Sequence, residues 1–371
     1  MGSQNSTSQA ERDEAASPIE VLVVEDSAVV REFLIHVLSS DPGIRIVGIA
    51  RDGEEALDAV RRHRPDVVTM DIHMPKMDGL EATRRIMETD PTPIVIVSGS
   101  RDTDELALTF EAIEAGALAL QSRPAGIGHA LHEATARALV QTVKLMSEVK
   151  VVRRWPRVRP DARTARPAET GLRAPATMRV VAIGASTGGP PVLQSILAGL
   201  PKTFPVPLLI VQHMAVGFIH GFAGWLAHSI DLPIRVAADG DRLLPGHVYL
   251  APDDHQMKVD RQGRVALTKD APENGLRPSV SCLFRSVADV YGGGAVAGLL
   301  TGMGRDGAEE LRVLREKGAI TFAQDKESSV VHGMPGEAIR LDAAMQVLSP
   351  GRIVGLLTDL ANRQGKNTDG A

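Results

Sequence analysis

The chain has a single cysteine, Cys282, among its 371 residues. No internal disulfide can form, and a reducing, cytoplasmic setting is expected. Aromatic residues are scarce at 3%, although 43% of the chain is hydrophobic. The cores must therefore be aliphatic, which suits parallel sheets rich in Val, Ile and Leu. No apolar run approaches the roughly 20 residues of a membrane span. The first residues are rich in Ser, Gln, Glu and Asp and lack the apolar stretch of a signal peptide. An excess of positive charge is also missing: the formal net charge is −5. Neither nucleic acid as a partner nor membrane insertion is expected.

What is present is a strand-then-helix rhythm. In residues 19–124, apolar strand segments fall at 20–24, 45–50, 67–70, 94–97 and 117–120, with helical segments between them and a further helix at 127–149. Five parallel strands alternating with helices imply a doubly wound sheet. A second unit of the same class is expected over 178–365, with disordered ends at 1–18 and 366–371. Between the units, residues 150–179 carry nine Lys or Arg against two acidic residues, with Pro156, Pro160, Pro167 and Pro175. This reads as an extended, solvated linker over 150–177. A nucleic-acid-binding regulator would rest on this run alone, which has one Trp and no periodicity.

In the first unit, Glu25 and Asp26 end the first strand, Asp71 the third and Ser98 the fourth, and Arg123 follows the fifth. All fall on the carboxyl edge of a parallel sheet. Three carboxylates together repel and need a cation, and hard oxygen donors with room for water and phosphate suit Mg²⁺. A hydroxyl and a cationic side chain opposite them bind phosphoryl oxygens. The pattern predicts phosphoryl transfer onto the central acid, Asp71. Any one of these residues reads as an ordinary polar strand end, but five at successive strand ends do not.

In the second unit, an apolar strand at 178–183 enters a glycine-rich turn carrying Ser186, and a proline-started helix follows. The run 207–212 ends at His213, and 295–301 leads into Gly302-Met303-Gly304-Arg305-Asp306. A serine, a base to take its proton and an acid to orient that base make a nucleophilic hydrolase. Of the six histidines in this unit, only His213 directly follows an apolar strand on the presumed active edge. Asp306 also fits a helix N-cap before Ala308. The backbone amides around Thr187 and Met303 are the candidate donors to a developing oxyanion. A dinucleotide-binding turn is the rival, but Gln212-His213 stands where an acid would hold the ribose.

Two resemblances follow. Val23-Val24-Glu25-Asp26-Ser27, Asp71 through Gly79, and Gly116-Ala117 with Arg123-Pro124 resemble response-regulator receiver domains. Ile183 through Pro190, Gln212-His213-Met214, Arg277-Pro278-Ser279-Val280, Leu300 through Gly304 with Asp306-Gly307, and Gly333-Met334-Pro335 resemble the catalytic domain of chemotaxis methylesterases of the CheB family. The resemblance implies a flavodoxin-like receiver and a Rossmann-like catalytic domain joined by a basic linker. It implies hydrolysis of glutamate methyl esters on chemoreceptor cytoplasmic helices, and deamidation of receptor glutamines in many members. Ser186, His213 and Asp306 map to the triad and Met303 to the oxyanion donor, with no cofactor in the catalytic domain. Asp71 maps to the phosphorylated acid, Ser98 and Arg123 to switch positions, and a chemotaxis histidine kinase to the phosphodonor. Arg123 stands where Lys is usual and Leu120 where an aromatic is usual, so a weaker phospho-response is expected. Ser281 and His332 also depart from the pattern and are expected to line the cleft. The alternative is a non-catalytic regulator that binds a receptor or scaffold through its second unit.

Overall fold

The computed structural model describes residues 17–99, 103–149 and 177–368, with the backbone alone at 103–108 and 365–368. The expected linker, apart from Thr177, and the expected disordered N-terminus, apart from residues 17–18, lie outside the described residues. So do residues 369–371 of the tail.

The first unit contains β1 (Ile19–Val24), α1 (Ala28–Ser39), β2 (Ile44–Ala50), α2 (Gly53–His63), β3 (Val67–Met70), α3 (Gly79–Thr89), β4 (Ile94–Ser98), α4 (Thr103–Ala115), β5 (Ala119–Ser122) and α5 (His132–Ser147). The strands pair in parallel in the order β2-β1-β3-β4-β5. Successive strand residues point to opposite faces. Leu22, Val24, Met70 and Ile96 pack against α2 to α4, while Val21, Val23, Val67 and Val97 pack against α1 and α5. Burial on both faces is why these strands are continuous apolar runs.

Two boundaries differ from the sequence reading. Strand β5 starts at Ala119, because the N–H groups of Gly116 and Ala117 bond back to Ala112 and close the end of α4. Helix α5 starts at His132, because residues 126–132 form tight turns, His129 N–H to Gly126 O and His132 N–H to His129 O.

The second unit runs β6 (Val180–Ala185), α6 (Gly189–Ala198), β7 (Leu208–Gln212), α7 (Ile219–Ser229), β8 (Ile234–Val236), β9 (Val248–Leu250), β10 (Gln256–Val259), β11 (Val265–Thr268), α8 (Val280–Val290), β12 (Ala295–Leu299), α9 (Ala308–Glu316), β13 (Ile320–Gln324), α10 (Met334–Arg340), β14 (Gln346–Leu348) and α11 (Pro350–Thr368). Seven strands form one parallel sheet, β14-β13-β12-β6-β7-β9-β8. The β10–β11 pair is a separate antiparallel hairpin, a feature the sequence reading lacked. Helix α11 continues past residue 365, where the sequence reading ended the unit. Helices α6, α7 and α11 cover one face of the sheet, and α8, α9 and α10 the other. The winding runs outward from β6 through β7, then returns to β12 on the other side of β6. That reversal opens a crevice at the carboxyl ends of β6, β7 and β12, the place where open α/β sheets hold ligands.

The two units touch through α4. The Phe110 ring is fully buried between Phe222 and Trp225 of α7, with centroids 5.4 and 5.6 Å away. Gln194 of α6 donates to Glu114 Oε1 at 2.6 Å. Leu120 packs against the cores of both units. Val331 packs in turn on the core of the first unit. Burying a Phe side chain is worth ~1.5–3 kcal/mol, so Phe110 is a main apolar anchor of the contact. Phe110→Ala should therefore raise amide hydrogen exchange in 103–115 and 219–229 together. Unchanged protection of both helices would show that the ring does not hold the units together.

Candidate functional site

Both units present chemistry at the carboxyl ends of their strands. In the first, β1 and β3 are neighbours, so Glu25, Asp26 and Asp71 meet: their carboxylate oxygens lie within 4.8 Å of one another. Glu25 and Asp71 are buried and Asp26 is exposed, which leaves one open side. Arg31, in the first turn of α1, donates to the carbonyls of Glu25 and Asp26 at 2.8 and 3.1 Å and holds the acidic loop from beneath. The sequence reading passed over Arg31, whose only signal is its spacing after the acidic pair.

Arg123 arrives from the next strand end but one. Its N–H bonds to Ser98 O at 2.8 Å, and Nη2 lies 3.2 Å from Glu25 Oε2 and 4.0 Å from Asp71 Oδ1. Ser98 is buried at the end of β4. The five residues singled out in the sequence thus come to one edge. The acids are uncomfortable there: burial and then the Asp71 charge push Glu25 up to about 7. Burial likewise raises Asp71, although Arg123 opposes the shift. Three hard oxygen donors with surplus negative charge and an open face fit Mg²⁺.

In the second unit, Ser186 follows β6 and His213 follows β7. Ser186 N–H bonds to Thr301 O at 3.0 Å, and His213 N–H to Ala185 O at 2.9 Å. Asp306, in the turn after β12, places Oδ2 3.0 Å from His213 Nε2. Nδ1 is the ring nitrogen that does not face the acid. Asp306 does not cap its own helix: Gly307 heads α9, and the carboxylate turns instead to the start of α8. There it accepts Val280 N–H at 2.6 Å, Ser281 N–H at 3.1 Å and the Ser279 hydroxyl at 3.2 Å. Burial works against its charge, but the His213 contact and these bonds hold its carboxyl below the usual range.

The turn carrying Met303 passes very close to the serine. A Cβ at Gly302 would lie 2.6 Å from Ser186 Cβ, so only glycine fits there. The Thr301 hydroxyl bonds to Thr187 O at 2.9 Å and ties this turn to the serine loop. Among the described residues, neither Thr187 N–H nor Met303 N–H is taken up by a hydrogen bond. His228, His247 and His255 each pair Nδ1 with a local backbone carbonyl.

Ser281 does not line the cleft. It is buried behind Asp306, with its hydroxyl donating to Glu310 at 2.7 Å and accepting Gly307 N–H at 3.0 Å. A serine fits there because one hydroxyl can donate and accept at once. His332 pairs by backbone with Gly302, beside the turn.

Family models match CheB methylesterase over residues 181–357 and the response regulator receiver domain over 21–132. A protein-glutamate methylesterase/protein-glutamine glutaminase of Nitrosospira multiformis is 64% identical, over 95% of this chain and 100% of its own. One from Geobacter metallireducens is 59% identical, over 92% and 99%. The solved Thermotoga maritima CheB methylesterase catalytic domain is 37% identical with a TM-score of 0.48, covering 50% of this chain and 100% of its own.

The acid cluster makes a pH test. Folded Glu25, with a pKa raised to about 7 from 4.5, keeps a proton that the unfolded chain releases, so stability falls as pH rises through that window. A cation offsets this only where the carboxylate is ionised. Mg²⁺ should raise the melting temperature of the first unit more at pH 7.5 than at pH 5, and Glu25→Gln should reduce that rise. Equal Mg²⁺ shifts at both pH values would rule out the cluster as the cation site.

Proposed function

Because the chain belongs to the CheB methylesterase family and carries a receiver domain ahead of the catalytic one, we propose that it hydrolyses glutamate methyl esters on the cytoplasmic helices of chemoreceptors, under phosphorylation control. The observation that carries this reading is the convergence of Ser186, His213 and Asp306 on three adjacent strand ends. A non-catalytic binding module has no use for a serine, an imidazole and a buried carboxylate at such a crevice.

In this reading Ser186 Oγ attacks the ester carbonyl while His213 Nδ1 takes its proton. The amides of Met303 and Thr187 receive the oxyanion. Collapse of the tetrahedral adduct expels methanol, which takes the proton from His213, and leaves an acyl-serine. Water, deprotonated by the same nitrogen, attacks the acyl-serine and releases the glutamate carboxylate. Asp306 stabilises the imidazolium formed in each half. A glutamine side chain follows the same route with ammonia leaving, which is the glutaminase activity in the relatives' names.

In the receiver, Asp71 is the phosphoryl acceptor and a chemotaxis histidine kinase the donor. Glu25, Asp26 and Asp71 would hold Mg²⁺, which neutralises charge on the transferring group. Arg123 and the Ser98 hydroxyl then meet the phosphoryl oxygens. Leu120 touches the catalytic core directly, so a change at β5 has a path to α7 without a rotating ring. In the unphosphorylated state the α4–α7 contact holds the receiver beside the catalytic loops. Among the described residues no helix is long and apolar enough to cross a membrane, in keeping with a substrate met in the cytoplasm.

Ser186→Ala should cut methanol release from methylated receptor by at least about 10³-fold, with His213→Ala close behind. The double variant should be little worse than either single one, since residues acting as a unit are not additive. Near-native release by Ser186→Ala would end the triad assignment. A small phosphodonor with Mg²⁺ should phosphorylate the native protein and not Asp71→Asn; equal labelling of both would place the acceptor elsewhere.

A further inference from the structure

Gln212, the last residue of β7, is 3% exposed. Its amide nitrogen donates to two carbonyl oxygens at once, those of Ser186 and His213, each at 2.8 Å. The amide's orientation is settled by this pairing, since turning it over would set its oxygen against two other oxygens. Its own oxygen, Oε1, is buried with no hydrogen-bond partner among the described residues. It presses instead on the start of α6, where a Cβ at Gly189 would lie 2.1 Å away. Proteins rarely keep an orphaned buried acceptor. A methionine would fill nearly the same space without that orphan, but would strip the Ser186 and His213 carbonyls of this donor. The glutamine is explained by what its nitrogen holds.

Ser186 and His213 lie on separate loops, one leading into α6 and one approaching α7. Each loop is tied to the sheet by one N–H, Ser186 to Thr301 O and His213 to Ala185 O. Ser186 O also accepts Gly189 N–H at 2.8 Å, but that bond lies within its own turn and does not reach the His213 loop. The Gln212 amide closes both at a single point.

We propose that Gln212 is a positioning residue for the hydrolytic reaction, its amide setting the separation and mutual orientation of Ser186 and His213. This rests on the nucleophile and base roles assigned above. Gln212 holds the two residues by their main chains and acts through them. A misplacement of roughly 1 Å between reacting groups costs on the order of 10²-fold in rate, so a tie of this kind has a large effect without touching substrate.

The test uses the full-length protein with Gln212→Met and Gln212→Glu. Methionine keeps the shape and loses the donors; a glutamate keeps the shape and, protonated, offers one O–H, too few to hold both carbonyls. Three quantities are read: the rate at which a fluorophosphonate modifies Ser186, located by peptide mass spectrometry; kcat and KM for methanol release from methylated receptor; and the melting temperature. Labelling rate and kcat should fall together by about 10–100-fold in both variants. KM should stay at the native value, because the surface that meets the receptor is untouched. The Met variant should melt close to native, since losing the orphaned oxygen offsets the donor lost to the His213 carbonyl. Native labelling and kcat in either folded variant overturn the proposal, as does a loss carried by KM alone. Failure of the fluorophosphonate to modify Ser186 in the native protein overturns the nucleophile assignment instead, and the two failures are thereby distinct.

Discussion

A buried carboxylate without a cation beside it survives only if hydrogen bonds replace the water it has lost. Asp306 is that group here, and much of the catalytic unit is arranged to supply those bonds. Helix α8 gives Ser281 N–H and the Ser279 hydroxyl to Oδ1 and Val280 N–H to Oδ2, the same oxygen that His213 approaches. The N-terminal end of a helix also favours negative charge. Behind it, Ser281 braces both Gly307 and Glu310, so α8 and α9 are fixed relative to each other at the point where the acid sits. Take away this arrangement and the imidazole loses its orientation and the α8–α9 packing loses its polar centre.

The sheets were legible because parallel strands buried on two faces write themselves as apolar runs. The chemistry at strand ends was legible for the same reason: a polar residue directly after such a run has one place to go. What escaped notice is held by groups that leave no signature. The support of Asp306 comes largely from the N–H groups of Val280 and Ser281, some 25 residues away in sequence, and any residue type supplies an N–H. Ser281, read as a cleft residue, belongs to that support. Gln212 stood inside a recognised motif, yet no role for its side chain was read there, because its partners are carbonyl oxygens. The β10–β11 hairpin has short strands whose alternation is too weak to read.

The scarcity of aromatic residues gives the contact between the units its character. The buried receiver core is aliphatic, while the catalytic unit buries Phe204, Phe284, Phe322 and Tyr249 in its core and the α4–α7 contact gathers Phe110, Phe222 and Trp225. Aromatic pairs have preferred geometries that aliphatic packing lacks. The receiver is thus seated on the catalytic unit through few residues, in α4 and β5. Leu120 is shared between the two cores.

The approach of Asp306 to Nε2 has one more consequence. In the proposed mechanism a neutral His213 carries its hydrogen on the nitrogen that faces the acid and so offers Nδ1, the nitrogen nearer its own main chain. Fewer bonds separate that atom from β7 than would separate Nε2. The reach of the base is then governed less by a long side chain swinging to meet its target than by where the sheet itself ends. Accuracy in the proton's path becomes a property of backbone architecture, which thermal motion disturbs least.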